Sequence, residues 1–485
     1  PTLKASYTIG YWHNEAQARP QSYLTNAATG GAVTTGAINS GGNNYTLTGT
    51  EFGMSNEALT HFMHGFSLKS NTKGLFDYEV ALSQFRYAAD DNRRPNSYAL
   101  GQSNGAGVLT DQRGTGWRAL ALKGTYRPDG TKGAHIVDFG YQRDAYKLVL
   151  LNNTLTAWTG SAAGSFVSDV GGNTKLESLW AQDTWRVAKD WKAVLGLRSE
   201  AWTANNGHTV STALNTPYSA RTESALSPKA ALAFQAAQDV ALKASIGRAV
   251  RFPTVQELYG STTTALAQFV NDPNLRPEKS VTSEWSVEKD TGNGLLRGTL
   301  FLEDTRDSLY SQSTLVGATT VTRVQNVGRI QTRGVEVSYQ AENVLQGALG
   351  KGFDLSSSLT YAESKIRENA GYVFAPGDTI GAYQPRVPLF RATSLVGYRW
   401  SDKLTTSLGA RYSGTQYTSL NNLDTNGATY TGASRFFVVD TRLRYQLDKE
   451  TSFAFGIDNL NNYTYWNFHP YPQRTYHAEL RVDWK

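Results

Sequence analysis

The chain has 485 residues, with no Cys, 2 Met, 45 Gly and 14 Pro, and its 26 Tyr, 19 Phe and 11 Trp make 12% of it aromatic. Charged residues are only 18%, against about 25% in ordinary soluble domains, yet no stretch approaches the ~18 uninterrupted apolar residues of a spanning helix, which excludes a helical membrane protein. Zero Cys excludes disulfide scaffolds, Cys-ligated metal sites and Cys nucleophiles and suits an oxidising compartment. The formal charge of +6 is dispersed along the chain, so there is no basic arm for nucleic acid.

Taken in order, the elements read as strands of two-sided character. Pro1-Thr2-Leu3-Lys4-Ala5 opens directly into one, with no signal-peptide pattern: Ala5, Tyr7, Ile9 and Tyr11 alternate with Lys4, Ser6, Thr8 and Gly10. Phe353, Leu355, Ser357, Leu359 and Tyr361 alternate with Asp354, Ser356, Ser358, Thr360 and Ala362. Phe437, Val439, Thr441, Leu443, Tyr445 and Leu447 alternate with Val438, Asp440, Arg442, Arg444 and Gln446. Such a period of two marks strands with unlike faces, and helical periodicity is nowhere sustained.

Connections alternate short and long. Asn71-Thr72-Lys73-Gly74, Lys189-Asp190, Gln238-Asp239, Ser401-Asp402 and Asp448-Lys449-Glu450 suit tight turns. Long connections rich in Gly, Asn, Ser and Thr run over 14–50, 89–115, 148–174, 203–225, 250–280, 306–328, 364–387, 414–434 and 460–474. A strand on each side of each long connection gives nine pairs, or about 18 strands, with room for an extra hairpin near Tyr45-Thr46-Leu47. This alternation predicts an all-β fold, a transmembrane antiparallel β-barrel with short periplasmic turns and long external loops. A soluble propeller or tandem sandwich would show a repeat of about 40–50 or about 100 residues, and neither is present.

Several motifs go further. Arg248-Ala249-Val250-Arg251-Phe252-Pro253-Thr254-Val255-Gln256-Glu257-Leu258-Tyr259-Gly260 precedes Asn271-Asp272-Pro273-Asn274-Leu275-Arg276-Pro277-Glu278. Ala181-Gln182-Asp183-Thr184-Trp185-Arg186, Asn326-Val327-Gly328 with Thr332-Arg333-Gly334-Val335-Glu336, and Gly456-Ile457-Asp458-Asn459-Leu460 follow the same order. Together they resemble the barrel motifs of TonB-dependent outer-membrane receptors, from about residue 180 to the C-terminus. The last strand, with Tyr476, Leu480 and Trp484 on its apolar face, resembles the assembly signal of such barrels, although Lys485 follows the aromatic.

The resemblance implies a barrel of roughly 22 strands around an N-terminal plug. The expectation is therefore that residues 1–485 form a single barrel domain, the C-terminal part of a longer receptor whose plug and first hairpins lie outside this sequence. A complete 18-stranded porin is the alternative. The resemblance also implies a bacterial outer-membrane location among lipids and lipopolysaccharide, the TonB-ExbB-ExbD complex as partner through an N-terminal region outside this sequence, and a monomer that imports a scarce nutrient: a ferric siderophore, or else haem, cobalamin or another chelate. No cofactor is implied beyond iron within a bound ferric chelate.

Candidate site residues follow from chemistry. Aromatics with polar tips and a few cations suit an anionic, planar chelate. In the long connections these are Tyr98, Trp158, Tyr259, Tyr465, Trp466 and His469, with Arg93 and Arg94 as a cation pair able to steer an anion. Tyr218, Tyr310, Tyr372, Phe374, Tyr417, Tyr430, Tyr463, Phe468 and Tyr471 add to the set, although barrels carry aromatic girdles whatever their cargo. Arg248, Arg251, Glu278, Arg333 and Glu336 are read as charges facing the lumen or a plug. The absence of His in 261–270 weighs against haem. His61 and His64, three residues apart on a strand, point to opposite faces and do not chelate. No metal site and no catalytic motif is present.

Overall fold

The computed structural model describes residues 2–40, 42–48, 52–96, 105–260, 262–263, 267–270, 272–316, 319–344, 352–370, 378–429 and 432–484. Among them are eighteen strands of eight residues or more, with shorter ones beside them and one five-residue helix, Val255–Tyr259. The chain falls into two compact units. One is Pro1–Ala181, Arg198–Leu226 and Pro253–Asn274; the other is Gln182–Leu197, Ser227–Phe252 and Leu275–Lys485.

In the first unit Leu3–Ala18, Ser55–Ser70, Phe76–Pro95, Gly116–Tyr126 and His135–Leu155 pair in succession, all antiparallel. Register puts like with like. Ala5 stands opposite Leu68 and Tyr7 opposite Phe66; the rows continue to Val80 and Leu82, then to Leu122 and Leu120. Lys4, Ser67, Ala81 and Ala121 occupy the other face. A shift of one residue would turn every apolar side chain to the wrong side, so the alternation itself fixes the register.

The second unit repeats this from Val240–Arg251 through Glu278–Asp290, Gly294–Val316, Thr319–Ala341 and Phe353–Glu368. It continues through Phe390–Arg399, Leu404–Ser413, Phe436–Gln446, Thr451–Asp458 and Thr475–Val482. Trp285, Leu300, Val335, Tyr361 and Phe390 form one apolar row across five strands. Tyr445, Phe453 and Leu480 form another. These side chains are exposed, Leu300 at 54% and Leu480 at 67%. An exposed apolar face backed by a polar one is the pattern of a wall with lipid on one side. Gly334 meets a steric need: a Cβ there would stand 2.2 Å from the Phe301 ring and 2.4 Å from the Tyr361 carbonyl oxygen.

Two expectations change. Much of what reads as long loop is strand: Gly294–Val316 and Thr319–Ala341, 23 residues each, pair almost to their shared tip across 306–328. At ~3.3 Å per residue each covers about 75 Å, far beyond a hydrocarbon core of about 30 Å. Outside lipid both faces meet water, so the pairing continues while the apolar alternation that marks a strand in sequence disappears. The hairpin near Tyr45 does form, Thr35–Ser40 with Asn43–Thr48, but as a separate two-stranded sheet.

Buried apolar clusters sit toward the long connections. Leu109, Leu155 and Trp158 form one, with Met54 against it. Val327, Ile330, Ile366 and Leu420 form the other. Ile330 and Ile366 are paired on the same face as Thr332 and Ser364, the polar one. Leu420, from the connection between Leu404–Ser413 and Phe436–Gln446, therefore folds this connection over the polar face of its unit.

Candidate functional site at the long connections

The first box becomes a strand end, a turn and the helix Val255–Tyr259. Thr254 caps the helix: its side chain accepts from the Glu257 backbone N–H at 3.2 Å, and the Glu257 carboxylate accepts from the Thr254 N–H at 2.8 Å. The helix buries Val255, Leu258 and Tyr259. Tyr259 lies flat on a floor made by two glycines: a Cβ would come 2.6 Å from its ring at Gly172 and 2.4 Å at Gly207. Gly172 shares the polar face with Thr174 and Ser178. Tyr218 stacks on Tyr259 at 5.4 Å. Burial pushes the Tyr259 phenol above its ordinary value.

The second box is clamped from two sides. Within the first unit, Arg221 donates to the Pro273 carbonyl at 2.6 Å and lies over the Trp202 ring. Within the second, Arg276 pairs with Asp307, and the Asn326 side chain holds the Arg276 backbone. Glu278 accepts from Ser308 Oγ at 2.8 Å and from the Leu309 N–H at 3.0 Å. Gly456–Leu460 behaves similarly: the Asn459 N–H donates to Asp440, and its side chain brackets the Tyr463 backbone.

Trp158, expected to meet ligand, is fully buried under the Arg19 guanidinium, 4.8 Å from its ring centroid. Arg93 and Arg94 do not act as a pair. They belong to the strand Phe76–Pro95, so alternation sends them to opposite faces. Arg93 donates to the Ser161 carbonyl at 2.7 Å and Arg94 to Thr110 Oγ1 at 3.3 Å. Tyr98, Tyr372, Phe374 and Tyr430 lie outside the described residues.

In the last connection Tyr465 is buried, stacked with Tyr471 at 4.8 Å and tilted against Phe436. Its phenol is raised by that burial. Trp466 is half-buried and its backbone is tied to Ser434. His469, opposite Asn467 in the short hairpin, is exposed. Between them Phe468 adopts φ 64° and carries the exposed Arg386 guanidinium 4.0 Å from its ring centroid. Lys365 Nζ lies 5.1 Å from the Tyr383 ring, and Tyr383 stacks with Tyr417. Deeper, Gln384 links the Tyr310 hydroxyl to Ser364. The Arg386–Phe468 pair was invisible to sequence spacing, since it joins two separate connections.

Register also divides the five wall charges. Arg251 stands opposite Glu278, and Glu336 accepts from Thr360 at 3.2 Å; these belong to the polar face. There Lys243 and Arg297 hold Glu288 at 2.6 and 2.7 Å. Arg248 and Arg333 do not face the lumen. Arg248 stands opposite Val281 and Arg333 opposite Leu302, on the apolar side. Motif proximity could not show this, because a strand residue's face depends on its parity relative to its neighbours. His61 and His64 do diverge: His61 Nε2 meets Asp90 at 2.8 Å in a buried pair, and His64 Nδ1 meets the Tyr7 hydroxyl on the other face. Among the described residues no group of three potential metal ligands occurs.

A wall with one lipid-facing side and long, aromatic-rich connections defines an outer-membrane β-barrel. The family model for the TonB-dependent receptor-like β-barrel matches residues 5–460, and the chain belongs to that family. In fold it is similar to the siderophore receptor PiuA from Acinetobacter baumannii, with a TM-score of 0.62 at 17% identity over 99% of this chain and 70% of that one. It is also similar to the ferric-catecholate import receptor Fiu from E. coli K12, with a TM-score of 0.65 at 15% identity over 99% and 72%. The copper transporter OprC gives a TM-score of 0.66 at 14% identity over 90% and 67%. As a member of this family the protein is an outer-membrane transport receptor, not an enzyme.

Proposed function

We propose that the protein binds a ferric siderophore at its long connections and imports it with energy from the TonB-ExbB-ExbD system. The observation that carries this reading is a cation laid on an aromatic face where two long connections meet, Arg386 on Phe468. Flat apolar surfaces rimmed by fixed positive charge complement a planar, anionic iron chelate better than a bare metal ion. Two similar structures bear the names of a siderophore receptor and a ferric-catecholate receptor. Bare copper, suggested by a third, finds little support: the sequence has two Met, and Met54 packs against the Trp158 cluster.

Tryptophan-fluorescence titration with catecholate, hydroxamate and mixed ferric siderophores, with haemin, cobalamin and Cu(II) as controls, tests it. Saturable quenching by one ferric siderophore at sub-micromolar concentration, roughly −8 kcal/mol or tighter, is expected. Saturation only by haemin, cobalamin or copper would replace the cargo. Binding of none, with open-channel conductance in planar bilayers, would replace the receptor by a passive porin.

A further inference from the structure

In the second unit, Phe390–Arg399, Leu404–Ser413, Phe436–Gln446, Thr451–Asp458 and Thr475–Val482 carry no Lys, and their arginines are Arg391, Arg399, Arg411, Arg442, Arg444 and Arg481. The apolar side chains Phe390, Tyr398, Tyr412, Leu443 and Leu480 are their immediate chain neighbours, so alternation puts every arginine on the polar face. Register then sets their heights. Arg391 shares a row with Ser413 and Phe436, and Arg411 with Val438. Arg442 stands opposite Gly456, Arg444 opposite Ala454, and Arg481 shares the row of Ser452 and Gln446. From the row of Phe436 to that of Gln446, at ~3.3 Å per residue, the line descends about 33 Å from the long connections to a short turn. A hydrocarbon core is about 30 Å thick.

These arginines are exposed, and they outnumber the acids of the same strands, which are Asp440, Asp458 and Glu479. Asp440 accepts from Arg411 at 3.1 Å and Glu479 from Arg442 at 2.8 Å, while Asp458 lies 3.8 Å from His477. Asp354 on the preceding strand holds Arg399, and Asp483 past the last strand holds Arg481. Among the described residues Arg391 and Arg444 stand in no salt bridge; Arg444 donates to Gln446 Oε1 at 3.3 Å. Thr405, Ser407, Gly409 and Ala454 occupy neighbouring positions on this face, so small side chains surround the guanidiniums. A lattice that served only to brace the wall would give each guanidinium a carboxylate, since uncompensated like charge weakens a sheet.

We propose that these arginines form a track along which an anionic group of the cargo descends, and that they set the rate of passage and the charge of cargo admitted, not the strength of capture. The inference rests on the proposed import of an anionic chelate. Guanidinium forks match paired anionic oxygens. Passage needs several weak sites, because one strong site would hold the anion. Asp440 and Glu479 serve that end: each takes its guanidinium back as the anion moves on, so Arg411 and Arg442 release it. Arg391 at the top and Arg444 lower down offer undivided charge.

The test measures uptake of radiolabelled iron by cells expressing the receptor, with a trianionic ferric tricatecholate as probe, beside fluorescence titration of the purified protein with the same chelate. In Arg391→Gln/Arg444→Gln, which breaks no salt bridge and should fold, maximal uptake is expected to fall roughly tenfold while half-saturation and titration stay within about twofold. The charge-keeping Arg391→Lys/Arg444→Lys should recover at least half of the uptake. Unchanged maximal uptake in the Gln variant, with binding intact, would overturn the track and leave the cargo reading standing. Equal loss in the Lys and Gln variants would overturn it as well, marking a role in shape; so would a rise in half-saturation alone, marking a capture site. A wild type that neither binds nor takes up the tricatecholate would overturn the cargo reading and the track together.

Discussion

The Asn326 carboxamide grips the backbone of Arg276 at both ends: its oxygen accepts from the Arg276 N–H at 2.9 Å and its nitrogen donates to the Arg276 carbonyl at 2.9 Å. The same nitrogen donates to the Asp307 carbonyl at 2.7 Å. Two motifs fifty residues apart in sequence are thus one structural joint. Replacing Asn326 with Ala leaves these backbone groups without their partner and should cost about 1–3 kcal/mol. Thermal unfolding followed by heat-modifiable gel migration would show this as a lower midpoint; an unchanged midpoint would mean that water replaces the side chain.

The seat of Tyr259 is equally specific. Gly207→Val places a side chain where a Cβ would already be 2.4 Å from the ring, so the helix Val255–Tyr259 should lift from the wall. Limited proteolysis should then cut the 252–277 connection faster than in wild type. Identical cleavage patterns would show that the helix is held elsewhere.

For cargo, Arg386→Ala should weaken binding of an anionic ferric chelate by about tenfold, since it removes both the charge and the cover of Phe468. Trp158→Phe should stay within about twofold, because Trp158 is buried in its own cluster. Fluorescence titration of both variants gives the comparison. The opposite ranking would move the binding surface to the Trp158 side.

Asp424 offers a pH test in a loop. Burial raises its carboxyl, but the Ser419 hydroxyl, the Thr418 N–H and hydroxyl and the Ser419 N–H outweigh that, and the net shift is downward. A folded value below the unfolded ~3.9 contributes stability that is fully present above the unfolded value and is lost as pH falls through the folded one. Amide exchange at Thr418 and Ser419 should therefore be slow at neutral pH and accelerate only in strong acid. Asp424→Asn should exchange fast at neutral pH. Slow exchange in that variant would show that the carboxylate does not hold the loop.

The sequence by itself determined the wall. Period-two alternation in 5–11, 353–362 and 437–447, and the short turns between strands, are local properties of the chain, and lipid on one side enforces them. It also determined the divergence of His61 and His64, which follows from parity within one strand. The tertiary structure decided what depends on more than one strand. Arg248 and Arg333 carry the same charge as Arg251 and sit in the same motifs, yet register with Val281 and Leu302 puts them on the lipid side. Arg93 and Arg94 are adjacent in sequence and part company once they lie in a strand. The strands past the bilayer, such as Gly294–Val316, keep their pairing while losing their alternation, because water on both faces no longer selects which residues point where.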